Sequence, residues 1–185
     1  MRLYAQAPPR SAVVCFDECG PMELRPLPGV CWAAQTHPQR LRATYHRRAG
    51  TEQLLAFYDV HEDCLAGTIH KRKTSRDLLS AWRRLRACYP KATRIHLILD
   101  NLSSHRHPIL KEFARRHNIR LVPTPTYASW LNAIEAHFAP LKRFCLNNSD
   151  DRDHRTRRRR IYRYLTWRNK KHARPQSTLQ LFRRY

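Results

Sequence analysis

The run Ile95-His96-Leu97-Ile98-Leu99, closed by Asp100, constrains this chain more than any other stretch. Its apolar, β-branched character reads as a short buried strand. Helical periodicity brackets it on both sides. Upstream, Ser75-Arg76-Asp77 opens a helix with Ser75 as its cap; Leu78, Leu79, Trp82, Leu85 and Cys88 or Tyr89 recur at helical spacing, and Pro90 stops it. Downstream, 108–117 reads as a helix with Ile109, Leu110, Phe113 and Ala114 inward. A strand entered and left through helices rejoins its sheet by crossing over, so its neighbours on that side run parallel to it. Asp100 then stands at the carboxyl end of a strand, where sites in helix-covered sheets gather. An Asp in that place also suits the simpler role of capping the next helix.

The rest of the chain supplies more strands. Ala12-Val13-Val14-Cys15-Phe16 within 11–16 is an uninterrupted apolar run ending in Asp17-Glu18, as expected of a central strand. Residues 51–60 and 64–70 read as two strands joined by a turn at His61-Glu62-Asp63. Ile119 to Val122 is a further strand, ended by Pro123-Thr124-Pro125, and 130–146 reads as a helix with Leu131, Ile134, Phe138, Leu141 and Cys145 on one face. Trp82 and Trp130 are expected in the core. Three early strands with short turns predict an antiparallel meander, and the later strands predict parallel additions. The expected fold is α/β: a mixed sheet flanked by helices, the arrangement of a ribonuclease H-like domain. Residues 1–150 form that domain, with 20–50 as an inserted arm broken by Pro21, Pro26, Pro28, Gly29 and Pro38. Residues 151–185 form a basic helical extension.

Charge narrows the partners. Thirty-six Lys and Arg face 14 Asp and Glu, a formal net charge of +22. That excess points to a polyanion, nucleic acid above all. No run approaches the ~18 apolar residues of a spanning helix, and the first residues lack the apolar core of a secretion signal. Cys15, Cys19, Cys31, Cys64, Cys88 and Cys145 include no CxxC pair and read as reduced thiols of an intracellular protein. His105, His107, His117, His137 and His154 lack zinc-site spacing, and Ser103-Ser104-His105 lacks the elbow glycines of a hydrolase.

In so basic a chain, three acids stand out. Asp17 and Asp100 end two strands expected to be adjacent. Glu135 lies in the first turns of the last core helix, with thirty-four residues between it and Asp100. Gathered together, three carboxylates repel one another unless a divalent cation joins them, and oxygen donors suit Mg²⁺ or Mn²⁺. Two such ions about 4 Å apart would serve phosphodiester chemistry. Spacing alone leaves the plainer reading open: a turn Asp, a capping Asp and a solvated helix Glu.

Three motifs carry a resemblance. Val14-Cys15-Phe16-Asp17-Glu18, Leu99-Asp100-Asn101-Leu102-Ser103-Ser104-His105, and Pro125 through Ser129-Trp130-Leu131-Asn132-Ala133-Ile134-Glu135 resemble the catalytic motifs of mariner-type DDE transposases, closest to their bacterial insertion-sequence branch. Tyr164-Leu165-Thr166-Trp167-Arg168-Asn169 is similar to the end of such proteins. The resemblance implies Asp17, Asp100 and Glu135 as catalytic ligands of two Mg²⁺ ions, replaceable by Mn²⁺, and DNA strand cleavage followed by strand transfer. It implies supporting or DNA-contacting roles for Asn101, His105 and Asn132. Glu18 adjoins Asp17 and is expected on the opposite sheet face. Arg157, Arg158, Arg159, Arg160, Lys170 and Lys171 are expected to hold DNA. The implied partners are transposon ends and target DNA, a second copy of the chain, and a separate helix-turn-helix chain, because relatives carry such a region ahead of the catalytic strand. The chain therefore reads as a split or truncated transposase of the bacterial cytoplasm, associated with the nucleoid. The competing readings are an inactive DNA-binding remnant and a structure-selective ribonuclease H-like nuclease.

Overall fold

The computed structural model describes every residue except 1, 31, 33, 38, 39, 45–49, 184 and 185, and leaves the side chain of Arg183 undescribed. A short helix α1 (Arg2–Ala5) precedes the strands β1 (Ser11–Glu23), β2 (Thr51–Asp59) and β3 (Cys64–His70). Then follow α2 (Ser75–Cys88), β4 (Arg94–Leu99), α3 (Pro108–Arg116), β5 (Ile119–Pro123), α4 (Glu135–Cys145) and α5 (His154–His172), with short 3-10 turns at Ser103–Arg106, Ser129–Leu131 and Thr178–Arg183. The strands form one sheet in the order β3-β2-β1-β4-β5. β1, β2 and β3 pair antiparallel, and β4 and β5 add in parallel. This is the expected mixed sheet. Its centre is β1, whose Val13, Val14, Cys15 and Phe16 are fully buried.

Alternation along β1 sorts the core into two layers. Ala12, Val14 and Phe16 face α2, α3 and the chain end, where Trp82, Leu85, Leu110 and Phe182 close the layer. Val13, Cys15 and Cys19 face the other side, where Ile134, just ahead of α4, Leu141 and Cys145 of α4, and Ile161 and Leu165 of α5 close it. Residues 151–185 therefore pack into both layers. Among the described residues, five cysteines are free and buried, and Cys31 lies outside them. No helix among the described residues is long and apolar enough to cross a membrane.

Five local expectations are corrected. β1 runs on to Glu23, with an irregularity between Cys19 and Met22. α2 is capped by Thr74 rather than Ser75: Thr74 and Asp77 hydrogen-bond reciprocally in a capping box. The stretch expected to be helical from Trp130 is broken, because Asn132 is extended and its buried side chain serves β1 instead, so α4 starts at Glu135. Trp130 is consequently 71% exposed, not core, and Ile109 is 40% exposed because only one turn of α3 faces Leu110 and Ala114 inward. Trp82 is core as expected. Of the inserted arm, Pro38 and 45–49 lie outside the described residues. Its described part bridges Leu27 to Ser149 and leaves Val30 and Trp32 fully exposed.

Candidate active site

β1 and β4 pair in parallel as far as Cys15 opposite Ile98. Two residues further along both strands come Asp17 and Asp100, so these carboxylates leave adjacent strands at the same level. Asp17 shares the face of Val13 and Cys15, against which Ile134 and Leu141 pack. Glu135 begins the helix that carries Leu141, so it enters on that same face. Burial pushes the Asp17 carboxyl up to about 6; a hydrogen bond from the Glu18 amide opposes this, and the charges of Glu18, Asp100 and Glu135 add to it. Three carboxylates thus share one electrostatic neighbourhood. As the side chains stand, no three His, Cys, Asp or Glu residues among those described close into a metal cage.

Each acid is held by its surroundings. Asp17 accepts a 2.7 Å hydrogen bond from the Glu18 amide. Asp100 accepts one from the Leu102 amide at 3.0 Å, turning the chain away from β4. The loop before Glu135 is pinned from two directions. Tyr4 donates its hydroxyl to the Leu131 carbonyl at 2.6 Å and accepts from the Ala133 amide at 3.2 Å. Asn132 donates to the Phe16 carbonyl at 2.9 Å, beside Asp17. The Glu135 amide in turn donates to the Asn132 carbonyl at 3.0 Å. Asn101 donates to the Thr124 carbonyl and accepts from Arg106 at 2.9 Å, tying the β4 and β5 exits together.

His105 is the buried link. Its Nδ1 lies 2.8 Å from Asp100 and its Nε2 2.8 Å from Glu18. Burial opposes its charge, but the hydrogen bond and charge of Glu18, helped by Asp100, hold its pKa above the ordinary value. Glu18 faces away from Asp17, toward Phe16's layer, and also meets Lys73 at 3.6 Å. Sequence reasoning placed Glu18 and His105 near the site but missed their pairing, along with Tyr4 and Lys73. No local pattern marks contacts made across 87 residues of chain.

The arginine run divides. Arg157 is fully buried, 3.1 Å from Asp151, and donates to the Glu23 carbonyl, so it is not a DNA-facing residue. Arg158 pairs with buried Glu52, and Arg160 with Asp151 at 2.9 Å. These three balance acids that the fold has enclosed. Arg159, Lys170 and Lys171 remain exposed. A cleft of about 450 Å³ between β3 and α5, lined by Gly67, Tyr162, Asn169 and Phe182, stands apart from the carboxylates.

Comparison with known proteins bears on the fold and the family. No curated protein matches the chain. Among solved structures, the mariner Mos1 paired-end complex with Mg shares the fold at a TM-score of 0.67, with 14% identity over 93% of this chain and 53% of its own. The Mos1 strand transfer complex gives 0.61, with 12% identity over 94% and 50%. A simian T-cell lymphotropic virus intasome in complex with the PP2A regulatory subunit B56 gamma gives 0.55, with 12% identity over 81% and 46%. The chain thus spans about half the length of these neighbours. The mixed sheet and its helices are the ribonuclease H-like fold of DDE transposase catalytic domains. The model of the DDE superfamily endonuclease family matches residues 12–157, from the first buried residue of β1, through all three carboxylates, to the buried arginine of α5; the chain belongs to that family.

Proposed function

We propose that this chain is the catalytic domain of a DNA transposase, cutting a DNA strand and joining the freed end to target DNA. The observation that carries the reading is the delivery of Asp17, Asp100 and Glu135 to one face of the sheet, with the Asp17 carboxyl raised to about 6 by burial and its charged neighbours. The all-oxygen donor set fits hard divalent cations, and the mutual repulsion of the carboxylates is what such cations relieve. Asp17, Asp100 and Glu135 would hold two Mg²⁺ ions, with Mn²⁺ as a substitute; Mos1 complexes with Mg and with Mn are among the structural neighbours. When bound, the ions supply Lewis-acid stabilisation of the attacking and leaving oxygens of an in-line displacement at phosphorus.

The chain's own residues prepare that step. His105 fixes the Asp100 carboxylate from behind and spreads its positive charge between Asp100 and Glu18. Tyr4 and Asn132 set where α4 begins and hence where Glu135 stands. Exposed Arg159, Lys170 and Lys171 bring phosphates to the surface of a chain carrying +22. The neighbours are paired-end and strand transfer complexes; on that likeness the partners are transposon ends and target DNA, with two copies of the chain acting together.

The test is cleavage of a labelled duplex in Mg²⁺ by the wild type and by Asp100→Asn. The reading requires cutting by the first and not by the second, with duplex affinity kept. Cleavage confined to an RNA–DNA hybrid would make the chain a ribonuclease instead. No cleavage of either substrate would leave a DNA-binding remnant.

A further inference from the structure

α4 and α5 lie antiparallel: the Cys145 thiol meets the Arg160 carbonyl at 3.9 Å, and Phe144 meets Tyr164 and Trp167. The three rings form a cluster at the surface. Phe144 and Tyr164 are stacked with an interplanar angle of 19° and centroids 5.8 Å apart, and Trp167 stands 6.0 Å from each. Phe144 is 63% and Trp167 50% exposed, so the cluster is not core. The helices that carry the rings are rich in exposed cations. Arg143 and Arg163, next in sequence to Phe144 and Tyr164, and Lys171, one turn beyond Trp167, are exposed, and α5 holds no acid. The only acid of α4 is Glu135, nine residues before Phe144, or ~14 Å along the helix.

We propose that Phe144, Tyr164 and Trp167 form a base-stacking platform for single-stranded DNA. The inference rests on the transposase reading, in which a DNA strand is cut and its freed end handed on to target DNA. Two features select this occupant. Flat aromatic faces accept any base, and the exposed guanidinium and ammonium groups of the same two helices hold its backbone. The same cations disfavour a basic partner, including a second copy of this +22 chain presenting its own basic surface.

The experiment measures binding by fluorescence anisotropy in EDTA, so that failure of the catalytic reading leaves it unaffected. The probes are labelled dT20, an abasic strand of equal charge, and a blunt 20-base-pair duplex. The wild type is expected to bind dT20 at least roughly tenfold more tightly than the abasic strand, a step of the size that stacking supplies. Phe144→Ala with Trp167→Ala should bring dT20 down to the abasic level and leave duplex binding unchanged. Phe144→Tyr with Trp167→Phe should restore dT20 binding, which separates stacking from a folding defect. Equal affinity for dT20 and the abasic strand, or full dT20 binding by the double alanine variant, overturns the proposal. So does a change of oligomeric state, seen by sedimentation, as the sole effect of the alanines.

Discussion

His105 Nδ1 stands 2.8 Å from the Asp100 carboxylate. The contact joins a buried imidazole to a part-exposed acid at the mouth of β4, and the far side of the same ring is held by Glu18. On the proposed reading His105 supports the metal-ligating Asp100 and is not itself a ligand. Supports of this kind typically carry 10- to 100-fold in metal affinity. His105→Ala should therefore raise the Mg²⁺ concentration for half-maximal cleavage by about that factor. It should also lower stability by ~1–3 kcal/mol, because Glu18 stays buried with only Lys73 beside it. A Mg²⁺ titration of cleavage and a thermal melt measure the two effects.

Asp17 makes the metal-free fold sensitive to pH. Its folded pKa, about 6, lies above the unfolded value of a carboxyl. The folded state therefore binds the proton more tightly, and stability rises as pH falls through 6 toward 4. Above pH 6 the buried charge costs on the order of 3 kcal/mol. Asp17→Asn should raise the melting temperature in EDTA at pH 8 and lose that advantage near pH 4. Equal melting temperatures for the two proteins at pH 8 would count against the buried charge.

Tyr4 acts at a distance from the chemistry. Its hydroxyl holds both Leu131 and Ala133 in the loop that leads to Glu135. Tyr4→Phe removes those hydrogen bonds and keeps the ring. The expected outcome is a fall in kcat with duplex affinity preserved, and a stability loss of ~1 kcal/mol. Single-turnover cleavage beside a binding isotherm distinguishes this from a DNA-contact role.

The basic residues of α5 should separate into two classes. Arg157→Leu leaves Asp151 buried with only Arg160 to balance it, and should cost on the order of 3–5 kcal/mol. Arg159→Ala, Lys170→Ala and Lys171→Ala should leave the melting temperature within about 1 °C, since surface changes cost little. If each neutralises one phosphate, each alanine reduces the slope of log affinity against log salt by about 0.9. A salt series of duplex binding, run beside thermal melts, sorts the residues.

His137 gives an acid-side prediction. Burial, aided by the charge of Arg168, pushes its pKa down to about 4. The unfolded chain then binds the extra proton, so stability is present above the ordinary imidazole range and is lost as pH falls from 6.5 toward 4. His137→Gln should flatten that loss, as urea melts at pH 7 and pH 5 would register.

Local pattern carried the layout: the strand and helix order, the mixed sheet and the adjacency of the strands that bear Asp17 and Asp100. These follow from local periodicity and from the handedness of crossovers, which adjacent residues express. The DDE motifs were legible for the same reason, being short apolar runs ended by acids at fixed spacing. The tertiary structure decided what depends on distant partners. It broke the helix at Asn132 because the Phe16 carbonyl, 116 residues away, needed a donor. It exposed Trp130, buried Arg157 against Asp151, and joined His105 to Glu18. Propensity and charge runs state what a residue can do. Which arginine faces solvent and which neutralises an enclosed carboxylate is settled only when packing chooses the acids that lose their water.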